Sequence, residues 1–120
     1  MVRVGVDLVQ VRRIAVLLER YGDRFARRVF SGRELAACGR RPQRLAARFA
    51  AKEAVSKALG TGIGPIGWRE IEIVNDDAGR PELVLGGAAA KLAAELNLHE
   101  WAVSLSHTQE QAVAFVMATG

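Results

Sequence analysis

The sequence predicts an α+β domain, a mainly antiparallel sheet packed against one long central helix. Three observations predict it. Apolar runs near both ends of the chain read as strands, and the alanine-rich stretch from Pro42 to Leu59 reads as a helix. The later strand-like runs are joined by short polar links of the kind that make hairpins.

The first strand is Val2 to Val9. Its one acid, Asp7, is disfavoured in a strand interior, so it is expected to mark the strand's end or to point into something polar. Ile14, Leu17, Leu18 and Tyr21 then follow helical spacing, and Phe25 and Val29 extend that face beyond an interruption at Gly22. Ser31-Gly32-Arg33-Glu34 matches a capping box and opens a short helix toward Cys38. Gly39-Arg40-Arg41-Pro42 breaks that helix, and Pro42 starts the next one. The long helix runs to about Leu59, with Gly60 placed as its left-handed C-terminal residue. Trp68 to Val74 reads as a strand in which Ile71 and Ile73 alternate against Glu70 and Glu72. Asn75 to Pro81 turns into a second strand, Glu82 to Leu85. Gly87 to about Leu96 is helical, and two last strands, Trp101 to His107 and Ala112 to Ala118, flank Thr108-Gln109-Glu110-Gln111.

At 120 residues, half of them hydrophobic and a quarter charged, the chain reads as a single domain, 1–120, with a real core and no disorder. The net charge of +4 hides an asymmetry. Residues 1–50 hold twelve arginines against four acids, a net +8, whereas residues 51–120 hold five basic residues against nine acids, a net −4. Such a bias points to an acidic partner: nucleic acid, a phosphate-bearing small molecule or an acidic protein. The plain alternative is that arginine serves here as a soluble helix former. Cys38 stands alone, so no internal disulfide is possible, and a small buried hydrophobe is its simplest role. The N-terminal apolar run is broken by Arg3 and is too short for a secretory signal. No stretch approaches the roughly 18–20 apolar residues of a membrane span. A reducing, cytoplasmic protein without a membrane partner is expected.

The most informative stretch is Phe49 to Gly62. Leu45, Phe49, Glu53 and Lys57 recur every four residues, so an apolar helical stripe ends in a carboxylate followed by an ammonium. Ala46, Ala50, Ala54 and Ala58 run beside it and allow close approach to a neighbour. A Glu–Lys pair at this spacing is commonly only a helix-stabilising surface pair, worth about 0.2–0.5 kcal/mol. The isolated Asp7 elsewhere in the chain shifts the balance toward a polar site. Gly62, Gly64 and Gly67 form a formal G-x-G-x-x-G, but it follows a helix and precedes a strand, so a dinucleotide fingerprint is rejected. The glycines still permit a close ligand, as would a plain loop. His107 ends a strand, where a structural role is the commoner one. His99 lies in a polar connector and takes no role, and Trp68 and Trp101 read as core or interface anchors.

Three segments together resemble the holo-[acyl-carrier-protein] synthases, the short class of 4′-phosphopantetheinyl transferases. They are Gly5-Val6-Asp7-Leu8-Val9 leading to Arg13-Ile14, then Arg48 to Gly64, then Ser104-Leu105-Ser106-His107-Thr108. The resemblance covers essentially the whole chain, and the second segment is its most specific part. It implies the 4′-phosphopantetheinyl transferase fold and transfer of the phosphopantetheine arm of coenzyme A to a serine of apo-acyl carrier protein, releasing adenosine 3′,5′-bisphosphate. It further implies that Asp7 and Glu53 bind Mg²⁺ with the coenzyme A pyrophosphate, which suits an ion that takes one or two carboxylates plus phosphate oxygens. Lys57 would set a positive charge on the pyrophosphate, and Arg48 and Lys52 would meet the 3′-phosphate. Ser56, Gly60, Thr61 and Gly62 would border the nucleotide, and His107 and Thr108 would add phosphate contacts. The serine proton would pass to Glu53, directly or through a metal-bound water. The acidic carrier protein would dock on the first helix at Arg13 and Arg24. The family is typically a homotrimer with active sites between subunits.

Two other readings compete. A small basic nucleic-acid-binding module would use the arginine-rich half, but interleaved aromatics, zinc-ligand spacing and a recognition helix are missing. A non-catalytic coenzyme A- or carrier-binding protein would not need Asp7, Glu53 and Lys57 together.

Overall fold

A computed structural model describes residues 1–120. Strand β1 (Val2–Gln10) runs directly into helix α1 (Val11–Tyr21), with Val11 N–H donating to the carbonyl of Glu110 at 2.9 Å. Helices α2 (Asp23–Val29) and α3 (Gly32–Cys38) follow, then the long helix α4 (Pro42–Leu59). A 3₁₀ turn at Trp68–Glu70 leads to strands β2 (Ile71–Asn75) and β3 (Pro81–Leu85), helix α5 (Gly87–Glu95), and strands β4 (Glu100–His107) and β5 (Gln111–Thr119). The sheet is split into two parts, both antiparallel throughout. One is three-stranded in the order β1-β5-β4, and the other is the β2–β3 hairpin.

Helix α4 is the centre of the molecule. From Leu45 to Leu59 every residue is buried except half-buried Glu53 and exposed Lys57. The alanine stripe explains how a helix can be covered on nearly all sides: Ala46, Ala50, Ala54 and Ala58 lie at 0–1 % exposure against the sheet. Contact is closest at Gly5 of β1, where a Cβ would stand 1.9 Å from the carbonyl oxygen of Ala54. Only glycine fits there. Around this crossing, Ile14, Val29, Phe30, Leu45, Val55, Ile71, Ile73 and Val116 close a single core.

The helix boundaries follow the sequence logic. Ser31 and Glu34 form the reciprocal capping box of α3, Pro42 is the first residue of α4, and Gly60 ends it with φ +83°. Cys38 is buried, as expected of a small hydrophobe.

Asp7 meets the second of its two expectations, pointing into something polar, and the strand expected from Trp68 needs correction. Asp7 lies in the middle of β1, opposite Ala114, and does not end the strand. It is tolerated because its side chain leaves the pleat on the α4 face and finds a cation there. Trp68–Glu70 is a 3₁₀ turn, and the strand begins only at Ile71. The turn is imposed by Glu70, whose carboxylate accepts from the N–H groups of Gly67 and of Ala88 at the start of α5. An alternating apolar pattern cannot report that constraint.

Candidate active site

The polar end of α4 meets β1. Lys57 Nζ donates to Asp7 Oδ1 at 3.0 Å and to the Val6 carbonyl at 3.1 Å, so the lysine is tied to the strand rather than to Glu53 one turn away. Glu53 has its pKa raised, first by partial burial and then by the nearby negative charge of Asp7, with Lys57 and Arg13 opposing. Asp7 and Glu53, forty-six positions apart in sequence, are therefore electrostatic neighbours. Their mutual repulsion is opposed by Lys57, which bonds Asp7, and by Arg13. This hard oxygen donor set suits Mg²⁺ completed by phosphate oxygens and water.

A second site is a cleft of about 750 Å³ between α3, α4, the β2–β3 hairpin and β4. Arg44, Arg48, Arg80 and His107 line it, together with Asn75 and Asp76. Arg48 is only 7 % exposed, its Nη2 donates weakly to Asn75 Oδ1 at 3.4 Å, and its Nε is buried with no partner. An orphaned guanidinium donor in a basic cleft is one an anion would satisfy.

A third site is a smaller hollow of about 380 Å³ between α1, α2, the middle of α4 and Trp68. Phe49 and Trp68 form its floor, with ring centroids 4.7 Å apart, and the Arg13 guanidinium lies 5.2 Å from the Phe49 centroid. Arg13, Arg24 and Arg28 rim it. Exposed basic groups around an apolar floor make a surface for an acidic, amphipathic partner.

The structure thus groups some of the expected residues and separates others. Asp7, Glu53 and Lys57 come together, Arg48 and His107 share the cleft, and Arg13 and Arg24 share the hollow. Residues 48 and 53 point roughly 140° apart around the helix axis, so one chain holds the cleft and the carboxylate pair on different faces. Gly60, Thr61 and Gly62 continue from Lys57, and Thr61 and Gly62 N–H groups both donate to the Ser56 carbonyl, at 3.1 and 3.3 Å.

Lys52, expected at the 3′-phosphate, is instead enclosed in the core and lies outside the cleft lining. Its side chain is fully buried, and its ammonium donates to Glu34 Oε1 at 2.7 Å, to the Trp68 carbonyl at 3.1 Å and to the Ile71 carbonyl. Burial pulls its pKa down, with Glu34 opposing. Ser56, expected at the nucleotide, is also fully buried, its hydroxyl donating to the Glu53 carbonyl at 2.7 Å. Thr108 stitches the β4–β5 turn, its Oγ1 accepting from Glu110 and Gln111 N–H groups, and it lies outside the cleft lining. Arg44, Asn75 and Arg80 were missed by sequence reasoning. The one signal for Asn75 and Arg80 is the Asn75–Pro81 turn, read only as a hairpin link, and Arg44 carries none beyond the arginine excess of residues 1–50.

Comparison with known proteins places the chain in a family. A family model described as the 4′-phosphopantetheinyl transferase superfamily matches residues 3–116. The holo-[acyl-carrier-protein] synthase of Herpetosiphon aurantiacus is 50% identical over 97% of this chain and 97% of its own length. That of Gloeobacter violaceus is 47% identical over 98% and 92%. Among solved structures, holo-[acyl-carrier-protein] synthase from Neisseria meningitidis superposes with a TM-score of 0.89 at 38% identity, covering 98% of both chains. The Helicobacter pylori enzyme in complex with coenzyme A also gives 0.89, at 30% identity over 97% of this chain and 99% of that one. On sequence and fold alike, the chain belongs to the 4′-phosphopantetheinyl transferase superfamily.

Proposed function

We propose that the protein is a holo-[acyl-carrier-protein] synthase, moving the phosphopantetheine arm of coenzyme A to a serine of apo-acyl carrier protein. The observation that carries this reading is the electrostatic coupling of Asp7 on β1 with Glu53 on α4, beside Lys57, where the helix is otherwise buried from Leu45 to Leu59. Asp7 and Glu53 would hold Mg²⁺, which when bound supplies charge neutralisation at the diphosphate under attack. Lys57 adds a positive charge where the leaving diphosphate oxygen develops its negative charge. Glu53 accepts the proton of the carrier serine, and the nearby basic hollow orients that serine through Arg13 and Arg24. Arg48, with Arg44, Arg80 and His107, takes the 3′-phosphate end of coenzyme A.

Assembly completes the site in this reading. The outer face of the β1-β5-β4 sheet exposes Val2, Val4, Val6, Leu8, Phe115 and Met117, at 40–62 % exposure. Val4 opposes Met117 and Val6 opposes Phe115 across the β1–β5 ladder, so the patch is continuous. An apolar patch of this kind is a protein-contact surface. A homotrimer built on it would set the arginine cleft of one protomer against the carboxylate pair of another. No helix is long and apolar enough to cross a membrane. The single free thiol suits a reducing compartment, and the cytoplasm is the proposed location.

The direct test mixes the protein with coenzyme A, Mg²⁺ and apo-carrier protein and weighs the carrier. A mass gain of one phosphopantetheine arm is expected. No gain with the wild-type chain, or an equal gain with Glu53→Gln, contradicts the reading.

A further inference from the structure

The most enclosed polar cluster in the molecule belongs to none of the three sites. Lys52 and Glu34 are both fully buried, and between them they satisfy a ring of partners. The Lys52 ammonium bonds Glu34 Oε1 and the carbonyls of Trp68 and Ile71, and it lies 5.7 Å from the Phe30 ring centroid. Glu34 Oε1 also accepts from Ser31 N–H at 3.0 Å, and Oε2 accepts from Ile73 N–H at 3.1 Å. All three ammonium protons are used. A buried ion pair often adds no more stability than apolar residues of similar volume, so what sets this one apart is the backbone it bonds: the carbonyls of Trp68 and Ile71 and the N–H groups of Ser31 and Ile73.

Position supplies a reason. One branch of the cluster grips the backbone of Trp68, whose ring stacks on Phe49 and floors the basic hollow. The other grips Ile73, two residues before Asn75, which bonds Arg48 at the head of the arginine cleft. Asn75 pairs with Pro81, and Asp76, Gly79, Arg80 and Pro81 of the same hairpin form a wall of that cleft. Apolar packing resists separation but slides easily. Hydrogen bonds to named backbone groups fix direction.

We infer that the Lys52–Glu34 pair is a positioning pair, holding the Phe49–Trp68 floor of the hollow and the β2–β3 wall of the cleft in one fixed relation to α4. Neither residue touches a substrate. The assignment of ligands to the two cavities rests on the function proposed above, whereas the mechanical link does not.

The test removes both charges together with Lys52→Met and Glu34→Gln, which avoids stranding one buried ion. In the folded double variant, KM for coenzyme A and for carrier protein should both rise roughly tenfold or more, because small displacements of binding groups are costly. The value of kcat should hold within about threefold, since Lys57 is tied to Asp7 and the Val6 carbonyl of β1 and the cluster makes no bond to the Asp7, Glu53 or Lys57 side chains. A merely structural pair would lower Tm and leave both KM values within about twofold in the folded protein, and that result overturns the inference. Should the double variant not fold, Glu34→Asp keeps the charge but shortens its reach, and the same rise in both KM values is expected. Failure of both variants to fold also overturns it. In a Trp101→Phe background, Trp68 emission reads the hollow floor without substrate. If the wild-type chain transfers no arm, the functional reading fails, and this emission alone decides the positioning claim: a red shift in the double variant supports it, and an unchanged spectrum overturns it.

Discussion

Lys57 Nζ stands 3.0 Å from Asp7 Oδ1, joining the exposed end of α4 to the middle of β1 across fifty positions of sequence. Lys57 and Glu53 are the two residues of the Leu45–Leu59 span that are not buried, and both are on the side facing Asp7. Beyond its first turn, a helix otherwise given over to the core therefore presents its two accessible polar groups to one carboxylate.

That meeting depends on how closely helix and strand approach. Gly5→Ala would set a Cβ 1.9 Å from the Ala54 carbonyl oxygen, which belongs to helix backbone and cannot swing away. A destabilisation of about 2–3 kcal/mol or more is expected, at the upper end of overpacking costs. Urea titration measures it, and a midpoint equal to wild type would contradict the tight crossing.

Arg48→Met removes the buried guanidinium whose Nε lacks a partner. Coenzyme A affinity should fall about tenfold or more, the scale of one charge-assisted hydrogen bond. Calorimetry with dephospho-coenzyme A provides the control, since wild type and variant should bind it alike. Equal losses for both ligands would move the 3′-phosphate elsewhere.

Arg13→Glu reverses the charge that lies over Phe49 at the edge of the hollow. KM for the acidic carrier should rise about tenfold or more while KM for coenzyme A changes little. A parallel rise in both would argue against a docking role.

Phe115→Glu places a charge at the centre of the exposed apolar face, opposite Val6. Sedimentation should show the wild-type chain as a trimer and the variant as a folded monomer without arm transfer. A monomeric wild type would remove the inter-subunit site.

Acid stability has a separate handle in Glu72. Its pKa is held below the ordinary value of 4.5, first by the Arg33 hydrogen bond and further by the Ser31 hydroxyl. A carboxylate with a depressed folded pKa stabilises above its unfolded pKa and loses that contribution as pH falls through the folded value. The stability of the wild-type chain should therefore decline below about pH 4.5, and that of Glu72→Gln should decline less steeply. Thermal melts from pH 3 to 6 compare them, and parallel curves would exclude Glu72.

Much of this was legible in the residues. Pro42, the alanine stripe and Gly60 define α4 locally, and Ser31 with Glu34 defines the start of α3, because caps and helical periods are short-range properties. Asp7, Glu53 and Lys57 were legible as exceptions within apolar patterns. Lys52 was not. It sits one turn from Arg48, and nothing in that spacing says that α3 and the Trp68 turn close over one residue while the other lines the cleft. Glu34 was read only as half of a capping box, although its carboxylate also holds Lys52 and β2. Arg44, Asn75 and Arg80 gain meaning only when the hairpin folds back over α4, a contact set by tertiary packing.

The central claim is that positions 7 and 53 share one divalent ion with the diphosphate of coenzyme A. Electron paramagnetic resonance of Mn²⁺, which accepts the same oxygen ligands as Mg²⁺, tests it directly. Wild-type protein with coenzyme A should bind one ion per chain, and Asp7→Asn and Glu53→Gln should each abolish that binding while the chain stays folded. Undiminished binding in either variant would contradict the account.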